Sequence, residues 1–250
     1  MLFRLHKGGE ARGMPTGVEG LDEQTGGLSK NQLWVVGAQT SRGKTVLMFQ
    51  MMAALLMAKK HVLLVSLETD AELVHARIAA NMLSIPMSKI LNTHPVKITE
   101  QIRDRLQDHD DKLRADKLLH ISDSSQITLE SISAQAERLK AQGYPLDCIV
   151  VDYIQLVTLT NINNKARHEQ VAEVTRTLKQ IAKRYQCPVI TATQLNDDGR
   201  VRESRAISHD ADVMLMIGDD SESILIQKNR NGQRGHVLPL SLNGEYQRFQ

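Results

Sequence analysis

The sequence has few aromatic residues and almost no cysteine. Phe, Trp and Tyr make up 3% of the 250 residues, which argues against the aromatic platforms on which many modules stack single-stranded bases. DNA binding through the phosphates stays open. The two cysteines, Cys148 and Cys187, lie in apolar strand-like runs, so we predict buried thiols in a reducing cytoplasm. Neither has a His or Cys at metal-ligand spacing, and we predict no zinc site.

The chain also lacks a long apolar run and an excess of one charge. Its longest apolar region follows Lys44 and is interrupted by Gln50, short of the ~20 residues of a membrane span, so we predict no membrane partner. Residues 1–13 lack the apolar core of a secretory signal and are predicted to form a flexible arm before one domain at 14–250. The net charge is +2, so DNA binding would need local clusters of basic residues.

A phosphate-binding loop is predicted near the start of the domain. Residues 38–45 read AQTSRGKT, close to G-x-x-x-x-G-K-[ST] with Ala38 at the first position. Apolar residues before and after it suit a buried strand and a buried helix, which counts against a chance match. Backbone N–H groups would cradle phosphates, Lys44 would supply charge, and Thr45 would supply a hydroxyl for Mg²⁺. The predicted ATP-binding residues are Ala38, Ser41, Arg42, Gly43, Lys44, Thr45 and Val46.

Strand-like and helical segments alternate along the rest of the chain. The strand-like runs are residues 33–37, 61–66, 117–121, 147–152, 188–193, 212–217, 223–227 and 236–240. In residues 165–186, apolar side chains recur at the spacing of one helix face: Val171, Val174, Leu178, Ile181 and Tyr185. The alternation predicts an α/β fold with a mostly parallel sheet flanked by helices. Short turns between the last three runs predict an antiparallel C-terminal extension.

Three polar residues at the ends of predicted strands complete a candidate hydrolytic site. Asp152 ends an apolar run, and an acid in this place holds Mg²⁺ in related ATPases, although many buried strands end in Asp. Glu68 follows another strand at the carboxyl edge of the sheet, where it could polarise the attacking water or simply favour a helix N-terminus. Gln194 could contact the γ-phosphate, although a single Gln means little alone.

Further short motifs follow in a fixed order. They are PTG at 15–17, SLE at 66–68, VDYIQL at 151–156, QLN at 194–196, RES at 202–204, DAD at 210–212 and KNRNG at 228–232. Leu178, Lys179 and Ala182 add a further match. Each motif is modest, but their order and spacing are specific over nearly the whole chain. On these residues the sequence resembles the ATPase domain of DnaB-type replicative helicases, within the RecA-like superfamily of P-loop NTPases.

The resemblance implies an ATP-driven hexameric ring that moves along single-stranded DNA and unwinds duplex. It implies that Lys44 and Thr45 bind phosphates and Mg²⁺, Asp152 supports the metal, Glu68 activates water, and Gln194 reads the γ-phosphate. A helicase loader or a primase would be a further partner. The location implied is the cytoplasm of a bacterial or phage-infected cell.

The resemblance also assigns two cations to catalysis in the neighbouring subunit. Lys228 and Arg230 would sit on a turn after a strand and reach the adjacent active site, where Arg230 would act as an arginine finger. The alternative is a solvated basic hairpin turn, since Asn231-Gly232 is a strong turn signal. The other motifs favour the finger.

Two polar loops are the candidate DNA contacts in a ring of this kind. One spans residues 159–167 and the other spans 196–205, and either could instead be an ordinary solvated loop. Arg205 stands where the family usually has Gly. Its charge could strengthen phosphate binding, or its side chain could crowd a close backbone approach. The predicted nucleic-acid residues are Lys165, Arg167, Arg200, Arg202, Glu203 and Arg205.

Some features depart from the family pattern. Arg42 replaces a typical Met in the phosphate loop and could add charge near the nucleotide or face solvent. Nothing before Gly13 matches the family's amino-terminal domain or linker helix, so the chain is predicted to be a fragment or a naturally minimal, phage-encoded member. The competing function is a RecA-like ATP-binding switch or recombination-type ATPase without helicase activity. A kinase fits poorly, because no acceptor-binding lid is evident.

Overall fold

The chain forms a single large sheet with helices on its faces. The computed structural model describes residues 13–18, 20–66, 69–91, 98–122, 127–152, 154, 157, 166–195 and 204–250, and only the backbone of 167 and 204–206. The described helices are α1 Leu21–Thr25, α2 Lys44–Met57, α3 Ala71–Leu83, α4 Met87–Ile90, α5 Glu100–Asp116, α6 Leu129–Ala141, α7 Arg167–Tyr185 and α8 Ser204–Asp210. The described strands are β1 Leu33–Ala38, β2 Val62–Ser66, β3 Leu119–Ser122, β4 Cys148–Asp152, β5 Val189–Gln194, β6 Val213–Ile217, β7 Ile224–Asn229, β8 Val237–Leu238, β9 Leu242–Asn243 and β10 Arg248–Phe249.

The eight-stranded sheet has the order β3-β2-β4-β5-β1-β6-β7-β8. The first six strands in that order pair in parallel, whereas β7 and β8 pair antiparallel to their neighbours. Parallel strands place all their carboxyl ends at one edge, where ligands of such sheets bind. The phosphate loop after β1 and the end of β5 therefore lie at the same edge.

Alternating side chains of each central strand enter two separate cores. Trp34 and Val36 of β1 pack into a core that includes residues of α2, while Leu33 and Val35 pack into a core that includes residues of α6 and α7. Both β1 and β4 are buried along their whole length. Because strands covered on both faces read as continuous apolar runs, the sequence reveals them readily.

The predicted fold class is confirmed, with small differences in element ends. All eight predicted strands are present, and the five apolar residues predicted to share one face of α7 are all buried. The C-terminal strands are antiparallel to one another, but β6 also pairs in parallel with β1, so the antiparallel part begins only at β7. Both cysteines are free and buried. Burial raises the pKa of the Cys187 thiol to about 12.

A second, two-stranded sheet at the C-terminus was not anticipated from the sequence. β9 and β10 pair antiparallel through Leu242 with Phe249 and Asn243 with Arg248. Two-residue strands carry too little pattern to be recognised. Phe249 is buried in the core on the α2 face of the sheet. This C-terminal hairpin (residues 242–249) packs beside the phosphate loop, because its Phe249 and Leu242 side chains lie next to Gly43. None of the described helices is long and apolar enough to cross a membrane.

Candidate nucleotide site

The phosphate loop has the backbone geometry that anion binding requires. Helix α2 begins at Lys44, and its N-cap, Gly43, has φ of 92°. Ser41 also has a positive φ, of 62°. The N-cap residue, being Gly43, has no side chain to cap α2, and the N–H groups at the start of such a helix suit phosphate oxygens. The N-terminal end of the helix dipole adds to this preference.

The loop opens onto a pocket of about 300 Å³. Five of the predicted ATP-binding residues line it, namely Ser41, Gly43, Lys44, Thr45 and Val46. Thr40 of the loop also lines it. The Lys44 ammonium donates to the Gln39 carbonyl of its own loop, at 3.4 Å. The pocket thus combines the Lys44 ammonium with the backbone N–H groups of the loop, which is an arrangement suited to phosphate oxygens.

Two of the predicted nucleotide residues do not line this pocket. Ala38 is the last residue of β1 and fully buried, and its carbonyl accepts from the Leu195 N–H at 3.0 Å. Arg42 lies in the loop, where its carbonyl accepts a hydrogen bond from Ser221, but it does not line the pocket. The strand extends one residue further than predicted, because Ala38 pairs with Gln194 across the sheet.

Gln194 enters the pocket from the end of β5. Its side-chain amide donates to the Thr40 hydroxyl at 2.6 Å. Thr40 belongs to the phosphate loop, so this hydrogen bond couples the position of the loop to the end of β5. The structure therefore brings together Lys44, Thr45 and Gln194 from segments about 150 residues apart in sequence.

Sequence reasoning missed three residues of the pocket wall, namely Thr40 of the loop itself and two residues from distant elements. Arg77 reaches it from α3, and Leu242 reaches it from β9. Arg77 donates to the Gln247 side chain at 3.3 Å, and its guanidinium lies 5.8 Å from the centre of the Phe49 ring. The only sequence feature that could have indicated Arg77 is the presence of a cation among the apolar positions of α3. No sequence feature indicated that Leu242 lines the pocket.

The candidate metal-binding carboxylate ends one strand, and the candidate water-activating carboxylate follows the neighbouring strand in the sequence. Asp152 ends β4 and is 2% exposed, and it pairs in register with Ser66 at the end of β2. Glu68 lies two residues beyond β2, outside the described residues. The edge position of Asp152 fits the predicted role, since a hard oxygen ligand such as a carboxylate suits Mg²⁺.

Lys228 and Arg230 lie at the opposite edge of the sheet from the phosphate loop. The Arg230 N–H donates to the Asp212 carbonyl at 2.8 Å, and the Asp212 N–H donates to the carbonyl of Leu33, the first residue of β1. The loop follows the last residue of β1, which at strand rise is about 17 Å away. Neither cation can therefore serve the phosphate loop of its own chain.

Both cations hold the end of α8. Lys228 donates to the carbonyls of Ser208 and His209, and Arg230 donates to the His209 carbonyl at 3.1 Å. Burial, followed by the neighbouring Arg230, lowers the pKa of Lys228. Lys228 does not lie on the predicted turn, because it is the fifth residue of β7, whereas Arg230 begins the turn after that strand. Arg230 is bonded to His209 of α8 and to Asp212 just before β6, so this turn is not simply a solvated hairpin.

The predicted DNA-binding residues fall almost wholly outside the described part of the chain. Lys165, Arg200, Arg202 and Glu203 lie in undescribed segments. Arg167 begins α7 and Arg205 belongs to α8, and only their backbone is described. The segments that carry the undescribed residues follow β4 and β5 in the chain. Their assignment to DNA stays a prediction.

Comparison with known proteins gives one consistent result. Residues 13–250 match the model of the DnaB-like helicase C-terminal domain. The chain is 34% identical to the replicative DNA helicase DnaB of Helicobacter pylori and 32% identical to that of Haemophilus influenzae, over 94% and 100% of its length. It spans about half the length of these relatives, 51% and 57% respectively.

Two solved structures share the fold. One is an ATPase domain, and the other is a DnaB-like replicative helicase described with its interactions with primase; each superposes with a TM-score of 0.84 at 23% identity over 96% of this chain. The chain covers 92% of the first and 62% of the second. With the phosphate loop, the RecA-like sheet and the family match in agreement, the chain belongs to the DnaB-like helicase C-terminal domain family and carries its nucleotide-binding fold.

Proposed function

We propose that this chain is the motor of a replicative DNA helicase, which hydrolyses ATP between the subunits of a hexameric ring. The observation that carries the proposal is the separation of Lys44 from Lys228 and Arg230 at opposite edges of one sheet. One chain cannot bring these groups to one nucleotide. In a head-to-tail ring, the loop of one subunit meets the opposite edge of the next, so each interface would hold a complete site.

The chemistry follows from the groups that such an interface would assemble. Lys44 and the loop N–H groups neutralise and hold the phosphates, while Gln194 senses the γ-phosphate through its position beside Thr40. Thr45 and Asp152 are the residues that would hold Mg²⁺, which would supply charge neutralisation for the phosphates.

Water activation and charge stabilisation complete the proposed reaction. Glu68 orients and polarises the attacking water by accepting a hydrogen bond from it. Arg230, with Lys228 beside it, enters from the neighbour and stabilises the charge that develops on the transferred phosphoryl group. Removing an arginine of this kind costs on the order of 10³–10⁵ in rate.

Single-stranded DNA is the proposed track. The positive charge for the phosphates comes from two segments of the chain. One carries Lys165 and Arg167, the first residue of α7, and the other carries Arg200, Arg202 and, within α8, Arg205, with Glu203 among them in the sequence. Few aromatic residues are available for base stacking, so binding should depend on backbone phosphates and show little base preference. We extend the proposal to a loader or primase as partner, in the reducing cytoplasm that the two buried thiols suit.

The test is ATP hydrolysis and strand displacement measured with and without single-stranded DNA. We expect DNA to stimulate hydrolysis and a forked duplex to be unwound only when ATP is present. Lys44→Ala should abolish both activities, whereas Lys30→Ala, at an exposed lysine before β1, should leave both intact. Hydrolysis that is indifferent to DNA, with no unwinding, would instead indicate an ATP-binding switch.

The DNA assignment has its own measurement. Arg202→Ala should weaken single-strand binding and make its dependence on salt shallower by about one unit in log–log slope, because one phosphate contact is lost. Arg103→Ala, on the exposed face of α5, is the matched control. An unchanged slope in the Arg202 variant would remove this loop from the DNA path.

A further inference from the structure

A buried carboxylate holds the proposed finger. Asp212 lies between α8 and β6, and its side chain is 6% exposed. Its Oδ1 accepts from the Arg230 guanidinium at 3.1 Å, and its Oδ2 accepts from the Leu33 N–H at 2.7 Å. A second guanidinium nitrogen of Arg230 donates to the His209 carbonyl at 3.1 Å, and the Arg230 side chain is 49% exposed, so the guanidinium is oriented by two contacts while the residue still reaches the surface.

A second cation completes the cluster. The ammonium of Lys179, on α7, contacts Asp212 Oδ2 at 2.5 Å and the Asn31 carbonyl at 2.6 Å. The Lys179 side chain is only 13% exposed. Lys179 and Asp212 both belong to sequence motifs for which the ATP-hydrolysis scheme gives no role. Together with Arg230, they link α7, β6 and the turn after β7 at the edge of the sheet.

Stability alone gives a poor reason for this arrangement. A buried ion pair contributes little net stability, because the desolvation of both charges offsets their attraction. The Asp212 carboxylate is, however, well suited to orienting a planar guanidinium, since it is itself fixed by the Leu33 N–H and by Lys179. A catalytic group needs support of this kind, as a displacement of about 1 Å can cost on the order of 100-fold in rate.

We propose that Asp212, balanced by Lys179, is the positioning residue of Arg230, and that it orients the guanidinium for the nucleotide site of the adjacent subunit. The inference rests on the proposed function, because it requires Arg230 to act between subunits. Asp212 touches no nucleotide in this scheme. Its effect reaches the reaction only through Arg230, so it should appear in kcat and not in nucleotide binding.

The first test separates positioning from binding. Asp212→Asn keeps the size of the side chain and its ability to accept from Leu33 but removes the charge. We expect kcat for ATP to fall by about 10- to 100-fold and KM to stay within about twofold. Asp147→Asn is the matched control, because Asp147 accepts the His61 N–H at 2.9 Å at the start of another strand. Its kcat should stay at the wild-type value.

The second test separates positioning from folding. Asp212→Asn removes the carboxylate that compensates the buried Lys179 ammonium, so the single variant should lose thermal stability. The double variant Asp212→Asn/Lys179→Met removes both buried charges and should recover Tm. We expect its kcat to remain low, because Arg230 still lacks its carboxylate. Recovery of kcat together with Tm would overturn the inference and leave only a structural role.

The third test asks whether the effect crosses the interface. Lys44→Ala removes the phosphate loop's lysine but leaves Arg230 with its carboxylate. Asp212→Asn keeps Lys44 but removes the carboxylate that orients Arg230. In a 1:1 mixture, roughly a quarter of head-to-tail interfaces would combine an intact loop with an intact finger. Hydrolysis in the mixture should therefore exceed the mean of the two variants measured separately. The reference is a mixture of Lys44→Ala with Arg230→Ala.

The two mixtures distinguish the inference from the function on which it rests. Recovery in both supports the positioning role of Asp212. Recovery with Arg230→Ala but not with Asp212→Asn would overturn the inference and leave the proposed function standing. Recovery in neither would overturn the intersubunit arrangement, and the positioning role would fall with it.

Discussion

Gln50 of α2 holds both main-chain polar groups of Phe249. The Phe249 N–H donates to Gln50 Oε1 at 2.7 Å, and Gln50 Nε2 donates to the Phe249 carbonyl at 3.1 Å and to the Gly17 carbonyl at 2.7 Å. One side chain on the helix that begins at the phosphate loop therefore fixes both the C-terminal hairpin and the start of the domain. Gln50 is 5% exposed, so these bonds are shielded from water.

Replacing Gln50 should destabilise the domain as a whole. Gln50→Ala leaves the buried N–H of Phe249 without its acceptor, at a cost of about 3 kcal/mol in the free energy of unfolding. Urea unfolding measures the change. Gln101→Ala, at an exposed position of α5, should stay within about 0.5 kcal/mol of wild type. A loss below about 1 kcal/mol in the Gln50 variant would mean that the hairpin is held by other contacts.

Gly43 should be irreplaceable for two separate reasons. Its φ of 92° strains any side chain, and an added Cβ would lie 2.9 Å from Cζ of Phe249 and 3.1 Å from Cδ2 of Leu242. Gly143 has a similar φ of 84° but nothing within 4 Å of an added Cβ. Gly143→Ala should therefore cost only the backbone strain, about 1 kcal/mol.

The contact with the hairpin should distinguish the two glycine variants. Gly43→Ala should cost more than Gly143→Ala in urea unfolding and should also weaken ATP binding, since the loop must move away from the hairpin. Nucleotide titration and urea unfolding of both variants give the comparison. Equal destabilisation, with nucleotide affinity unchanged, would show that the hairpin does not constrain the loop.

Arg77 should contribute to nucleotide affinity without reading the γ-phosphate. It lines the pocket beside Val46 and Leu242 and is held by Gln247. Arg77→Ala should weaken binding of ATP and of ADP by the same factor, about tenfold. Gln194→Ala should instead weaken ATP more than ADP. Fluorescence titration with both nucleotides checks this, and a loss confined to ATP would place Arg77 at the γ-phosphate end.

Sequence patterns predict the layered parts of this fold and miss its short connections. The doubly covered strands β1 and β4 are continuous apolar runs, and α7 has a clear apolar face, so pattern and burial coincide. The phosphate loop is likewise recognisable because its backbone geometry demands specific residue types. These features depend on local spacing, which a single sequence carries.

The contacts between residues far apart in the chain could not be predicted from the sequence. Arg77 and Leu242 reach one pocket from α3 and β9, and nothing in their local sequences indicates the meeting. The same holds for Asp212, Lys179 and Arg230, which are separated by up to 51 positions but share one buried carboxylate. The family resemblance named Arg230 for its role, whereas only the structure reveals what holds it.

His109 should make stability fall in mild acid. Its side chain is mostly buried on α5, and burial is the main cause that lowers its pKa below 6.5. As pH falls below 6.5, the unfolded chain takes up the proton first, so stability is lost until the folded-state pKa is passed. His109→Gln should flatten the Tm profile over this range. The control is His168→Gln, at an exposed position of α7, whose profile of Tm against pH should be parallel to that of wild type. A His109→Gln profile that is also parallel to wild type would contradict the prediction.

The most direct test of intersubunit hydrolysis is Arg230→Ala, measured for both nucleotide binding and turnover. Arg230 lies at the far edge of its own sheet from Lys44, so its loss should leave ATP and ADP affinity within about twofold of wild type. Turnover should fall by about 10³-fold or more. Retained hydrolysis in the Arg230 variant, with wild-type kcat and DNA stimulation, would contradict the account at its centre.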